Sequence, residues 1–199
     1  LRSSPTSFAG PDSVVLPLLP PGDARSLGAV VVNVGSDTVR LEVDPGFAGI
    51  LVDETHLRTP GIRSFDAEAS DRRPAAANGI RLGMMMIRNT AISLGNAGGR
   101  GRGRVGLDWI GQWAPSVDLA NRRLILRRAG VVPAGRRAAA SERVPVLLDI
   151  PGSVGDRLPG PWTAWGGSFM RLGADALLRA RPATITYDPR RGELLLARR

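Results

Sequence analysis

The sequence predicts a mainly β fold with short helices, and three observations predict it. Short runs rich in valine, isoleucine and leucine recur along the chain, among them "SVVLPLL", "AVVVNV", "VRLEV", "GILV" and "LILRR". Runs of this length and composition suit strands better than helices. They are bounded by glycine, proline, asparagine and aspartate, the residues that turn a chain. In the clearest run the apolar positions alternate: Val39, Leu41 and Val43 share one face, and Arg40 and Glu42 the other.

Taken in order, residues 1–13 are polar and read as mobile. Ser13 to Leu19 reads as a strand, followed by the turn "PPGDARS". Ala29 to Val34 and Val39 to Val43 form the best hairpin, turned at Gly35-Ser36-Asp37. "GILVDETHL" extends the β character to Pro60-Gly61. From Arg63 to Asn78 the chain is polar and alanine-rich without a period, so no element is predicted there. Gly79 to Gly95 resumes as one or two strands, and "NAGGRGRGR" reads as a flexible loop. Leu107 to Trp113 suits a short helix, Ser116 to Leu119 and Arg123 to Leu126 suit strands, and Ala120-Asn121-Arg122 supplies the turn.

The tail, Leu172 to Arg199, repeats the order of Val105 to Arg128: Gly-x-Asp, a short apolar helix, proline, a strand with aspartate, an arginine-bearing turn and a leucine-rich strand. Such an internal repeat points to a duplicated helix-hairpin unit. The expected organisation is therefore a main domain over 1–128, a linker over 129–143, and a reduced second lobe or packing extension over 144–199.

Composition narrows the function classes. The 27 basic residues are all arginine and the formal net charge is +9. The arginine pairs (Arg72-Arg73, Arg122-Arg123, Arg127-Arg128, Arg136-Arg137, Arg190-Arg191, Arg198-Arg199) sit mostly beside turns and form no continuous stripe, so nucleic acid is not the expected partner. Zero cysteines exclude thiol catalysis, disulfides and cysteine-based metal sites, and one histidine, His56, excludes a multi-histidine metal site. No metal or cofactor is expected. No apolar run approaches the roughly 20 residues of a membrane-spanning helix. The chain starts at Leu1 with neither an initiator methionine nor a signal-peptide h-region, which reads as a processed or trimmed start.

One stretch stands out for its chemistry. In "VRLEVDPGFAGILVD" the carboxylate of Asp44 lies between two apolar strands and is followed by Pro45 and Gly46. With "VNVGSDTVRLEVDPGFAGILVD" and "GRVGLDWIGQWAPSVDLANRRLILRR" in this order, the chain resembles the retropepsin-like aspartic protease domain, in particular bacterial members with a Gly-Leu-Asp-Phe-Leu-like helix. The likeness covers roughly Leu16 to Arg128. It implies an acid-protease-like β-barrel, peptide or protein as substrate, and peptide-bond hydrolysis by water activated between two aspartates. Two adjacent carboxyls share a proton; one acts as base on the water while the other donates to the scissile carbonyl. A single Asp per domain then requires a homodimer or a second lobe.

By this resemblance Asp44 is the catalytic residue. Gly46, Phe47, Met84, Met85 and Met86 are placed at the substrate, with Gly79 to Gly95 as part of a flap. Pro45 departs from the family's Asp-Thr/Ser-Gly, because proline has neither the hydroxyl nor the N–H that interlocks two such loops. Asp149 in "VPVLLDIPG" loosely echoes the Asp44 stretch and is a possible partner; a strand-end turn is the plainer reading. A catalytically inactive domain that binds a peptide or protein in the same groove is the alternative function. Other candidates have structural readings: Asp53 and Glu54 as solvated strand-end groups, Asp108 and Asp175 as helix caps, the methionines and Trp109, Trp113, Trp162 and Trp165 as packing anchors. "GGRGRGR" lacks the interleaved aromatics of an RNA-binding tract.

Overall fold

A computed structural model describes residues 7–47, 49–58, 62–64, 72–97, 103–107, 113–128, 141–145, 177–178, 182–188 and 193–197. The described elements are strands β1 (Ser7–Ala9), β2 (Ser13–Pro17), β3 (Ala29–Val34), β4 (Asp37–Val43), β5 (Ile50–Val52), β6 (Ile62–Ser64), β7 (Arg72–Leu82), β8 (Met85–Gly95), β9 (Gly103–Val105), β10 (Trp113–Asp118), β11 (Arg123–Arg128), β12 (Ser141–Pro145), β13 (Thr184–Asp188) and β14 (Glu193–Ala197). A 3-10 turn, Glu54–His56, follows β5, and the Thr55 N–H and hydroxyl both donate to Asp53 Oδ1. The fold is mainly β, as the sequence predicts. Among the described residues no helix is long and apolar enough to cross a membrane.

Six strands close into a barrel. Pairing runs β8-β5-β9-β4-β3-β7 and returns from β7 to β8, with β1 and β6 attached outside the ring. The β3–β4 hairpin turns through Gly35 at φ +62°, and Val39, Leu41 and Val43 face the core as their alternation requires. The unusual strand is β9. It lies parallel to β4 (Leu41 opposite Gly103, Val43 opposite Val105) and antiparallel to β5 (Ile50 opposite Val105, Val52 opposite Gly103). A late strand is thus inserted between two that follow one another in sequence. Gly103 permits the insertion: a Cβ there would lie 2.4 Å from the Leu41 side chain and 2.6 Å from the Leu51 carbonyl oxygen.

Tertiary pairing corrects several sequence expectations. Residues 7–9 form a strand because β8 offers them a partner edge. Arg72 to Asn78, alanine-rich and without a period, forms the first part of β7 in the longest hairpin among the described elements, since β8 supplies the pairing that its own composition does not encode. That hairpin turns at Gly83-Met84, and Ile80, Leu82, Met85, Ile87, Ile92 and Leu94 are all buried. Gly79 to Gly95 is therefore barrel wall and not a cover over Asp44. The expected helix over 107–113 ends in a strand at Trp113; residues 108–112 lie outside the described residues, with Asp108 and Trp109.

The second sheet has the order β12-β14-β13-β10-β11-β2, antiparallel throughout. Its inner face (Val14, Leu16, Trp113, Val117, Leu124, Leu126, Ile185, Tyr187, Leu196) joins the barrel's core in one continuous apolar cluster. The sheet is two-fold symmetric within one chain. Asp118 and Asp188 each close a strand five residues before the next begins, so β10–β11 and β13–β14 correspond at a constant offset. Equivalent residues Ser116 and Thr186 then sit directly opposite each other where the two hairpins pair, and their hydroxyls are 2.9 Å apart. The outer strands match as well: Arg123 faces Pro17, and the equivalent Glu193 faces Pro145. Strand β12 is thus the counterpart of β2, and it begins at Ser141, inside the stretch expected to be linker.

Candidate functional site

Asp44 ends β4, and its backbone N–H donates to the Val105 carbonyl at 2.9 Å, tying it to the inserted strand. The next three residues form a β-turn closed by Phe47 N–H donating to Asp44 O at 3.1 Å. Pro45 occupies the second turn position, where its fixed φ is favourable, and Gly46 does not take a positive φ, as a type I turn requires. The Gly46 N–H donates to Asp44 Oδ1 at 2.9 Å. Further along, Gly106 N–H donates to Gly49 O at 2.9 Å, so the loop between β4 and β5 is stitched over the end of β9 at both sides. Proline therefore has a local role: it stiffens the turn that presents the carboxylate.

Asp44 is buried, with 7% of its surface exposed. Its other oxygen, Oδ2, accepts from Arg104 Nη1 at 2.6 Å. Arg104 lies in β9, in register with Glu42 of β4. Its Nη2 donates to Asp23 Oδ2 at 3.1 Å and to the Ala97 carbonyl at 3.4 Å. The guanidinium is thus held by two carboxylates from separate parts of the chain, with side-chain exposures of 11% for Arg104, 10% for Asp44 and 23% for Asp23.

Asp23 reaches the site from the loop between β2 and β3, and that loop is strapped across the outer face of β4. Glu42, itself buried, accepts from Gly22 N–H at 2.9 Å and from Arg40 Nε at 3.0 Å. Arg40 Nη2 in turn donates to Pro20 O at 2.6 Å. Just past the loop, Gly28 takes φ +147° against Leu18, and its carbonyl accepts from Val43 N–H and the Ser26 hydroxyl.

The other sequence candidates fall in different places. Gly46 and Phe47 belong to the Asp44 turn. Phe47 is buried with Leu51 and Ala97, and the Arg72 guanidinium stands 5.0 Å over its ring. The three methionines are not brought to Asp44. Met84 is 84% exposed at the hairpin turn, Met85 is buried in the core, and Met86 pairs with Arg81 and Ala9. The end of β8 that approaches the site is Leu94 to Ala97; at about 3.3 Å per residue, roughly 30 Å of strand separates it from Met85. Asp149, Asp175, Trp162 and Trp165 lie outside the described residues. Trp113 is a packing anchor, its ring centroid 6.0 Å from that of Phe8.

Sequence reasoning missed Arg104 and Asp23. Arg104 sits in the glycine-arginine stretch read as a loop, and Asp23 in a turn. The available signal was an arginine between Gly103 and Val105: a strand position on a buried seam obliges such a side chain to find a carboxylate. A second titratable group lies in the two-fold sheet. Burial raises the Asp118 carboxyl, but hydrogen bonds from the Asn121 side chain and backbone, with Arg123 alongside, outweigh it and hold the pKa below the ordinary value.

No family model and no curated protein matches the chain. Among solved structures it is similar to a retropepsin-like aspartic protease from Rickettsia conorii, at 13% identity and a TM-score of 0.41, over 64% of this chain and 96% of that one.

Proposed function

We propose that the chain is a divergent aspartic-protease-like domain that takes peptide or protein beside the Asp44 turn, and that with Arg104 in place it binds without hydrolysis. The order of motifs around "VRLEVDPGFAGILVD" and "GRVGLDWIG" supports the class. The observation that carries the non-hydrolytic reading is the occupancy of Asp44: Oδ1 accepts from Gly46 and Oδ2 from Arg104. Acid-base work on water by a carboxyl pair needs a shared proton between the two acids. A guanidinium only donates and does not give up its proton in proteins, so it is no substitute for the second acid.

A second reading, aspartic-type endopeptidase, draws support from Asp23. This carboxylate reaches the same guanidinium as Asp44, and withdrawal of Arg104 would leave two acids facing one gap. Asp149 or the Asp44 of a second copy in a homodimer are the other sources of a partner acid.

The test compares the native chain with Asp44→Asn on a mixed peptide pool at acidic and neutral pH. Cleavage is read by mass spectrometry and retention on immobilised protein is read in parallel. The expected result is peptide retention with identical digestion patterns for both proteins. Cleavage that the native chain performs and Asp44→Asn does not would replace the binding reading with hydrolysis.

A further inference from the structure

We propose that Arg104 is a receptor for a carboxylate on the bound peptide, and that Asp23 is the chain's own occupant of that receptor. The inference rests on the peptide-binding reading and gives it a ligand chemistry: acidic peptides.

The two carboxylates on Arg104 are not alike. Asp44 is fixed at a strand end, accepts at 2.6 Å, and is held further by Gly46 and by its own backbone bond to Val105. Asp23 comes from a loop, meets Nη2 at a longer 3.1 Å, and is more than twice as exposed. Its other oxygen is spent locally on Arg25 N–H at 2.8 Å. Asp44 therefore orients the guanidinium and neutralises one side of it, while Nη2 is covered by a group that a competing carboxylate can replace. Arg is suited to this because its planar fork holds one anion on each terminal nitrogen in fixed geometry.

The surroundings favour an acidic visitor. The chain carries a formal charge of +9, and Arg25 and Arg72 are exposed near the loop and the turn. Displacement of Asp23 leaves no orphaned group, because its carboxylate moves into water while Arg104 keeps Asp44 and gains the ligand. Such an exchange lowers apparent affinity by the fraction of time the internal occupant is absent. An occupant present about nine-tenths of the time imposes a loss of about tenfold.

The experiment uses the full chain with Asp23→Asn and Arg104→Gln. The probes are a fluorescein-labelled glutamate-containing peptide, its glutamine analogue, and both with an amidated C-terminus, measured by fluorescence anisotropy at low and moderate salt. Asp23→Asn is expected to bind the glutamate peptide about tenfold more tightly than the native chain and the glutamine peptide equally. Arg104→Gln should abolish the preference for glutamate. A gain in Asp23→Asn shared by the glutamate and glutamine peptides with free C-termini and lost on amidation identifies the terminal carboxylate as the group received; a gain for the glutamate peptide that survives amidation identifies the side chain. Binding of both peptides with no gain in Asp23→Asn overturns the displaced-occupant proposal while leaving peptide binding intact. Failure of every peptide to bind the native chain and Asp23→Asn overturns both. Because Asp23 lies in a loop and its substitution leaves Arg104 paired to Asp44, the result does not depend on how well Arg104→Gln folds.

Discussion

The two halves of the six-stranded sheet carry the same three strands in the same register, yet the inserts between those strands differ greatly in length. In the first half, residues 18–112 separate β2 from β10 and contain the barrel, the Asp44 turn and Arg104. In the second half only residues 146–183 separate β12 from β13. Strand pairing thus tolerates inserts of very different length: a three-strand unit pairs with its own likeness across the Ser116–Thr186 axis in both cases. Among the described residues, the Asp44–Arg104–Asp23 cluster belongs to the first half.

The comparison yields tests in descending order of expected effect. Gly103→Val acts on the barrel, where even a Cβ meets Leu41 and the Leu51 carbonyl. It should cost about 3 kcal/mol or more in urea unfolding; an unchanged midpoint would mean that β9 is not inserted between β4 and β5. Leu126 and Leu196 are equivalent positions of the two sheet halves. Leu126→Ala, fully buried in the strand next to the sheet's edge, should cost about 2–5 kcal/mol. Leu196→Ala should cost less, because Leu196 is the more exposed of the two. Equal costs would show the two halves to be energetically alike.

The axis itself offers the next test. The chain has no cysteine, so Ser116→Cys with Thr186→Cys places the only thiols opposite one another. Oxidation should give an intramolecular bridge that raises stability by about 2–4 kcal/mol over the reduced form. A disulfide-linked dimer on non-reducing electrophoresis would instead mean that the halves pair between chains. The smallest effect belongs to Asp118. Its folded pKa is lowered, so its contribution is present above the ordinary carboxylate range and is lost as pH falls through the folded value. Asp118→Asn should cost about 1 kcal/mol near neutrality. The gap to the native chain should close on acidification; a constant gap would assign the residue a role independent of charge.

Much of the fold was legible because local chemistry encoded it. The alternation of Val39, Leu41 and Val43, the glycine turn before them, and the turn at Ala120-Asn121-Arg122 all agree with the tertiary structure. What was not legible depended on partners distant in sequence. Ala75, Ala76 and Ala77 have little strand preference and are held there by Ile92, Ala91 and Thr90. The site was half legible. Asp44 announced itself by standing between two apolar runs, and Pro45 marked its turn. Arg104 and Asp23 are 60 and 81 residues from the groups they meet, and nothing in their own neighbourhoods names those groups.

The insertion of β9 sets the order in which the chain can fold. Strands β4 and β5 adjoin in sequence but are joined only through Gly103 to Val105, so during synthesis they wait with unpaired edges until residue 105 has left the ribosome. Contacts of such long sequence separation slow folding, and bare apolar edges invite pairing between chains. Chains that stop short of β9 are therefore expected to aggregate more readily than the full chain, because the ring closes only once that three-residue strand is in place.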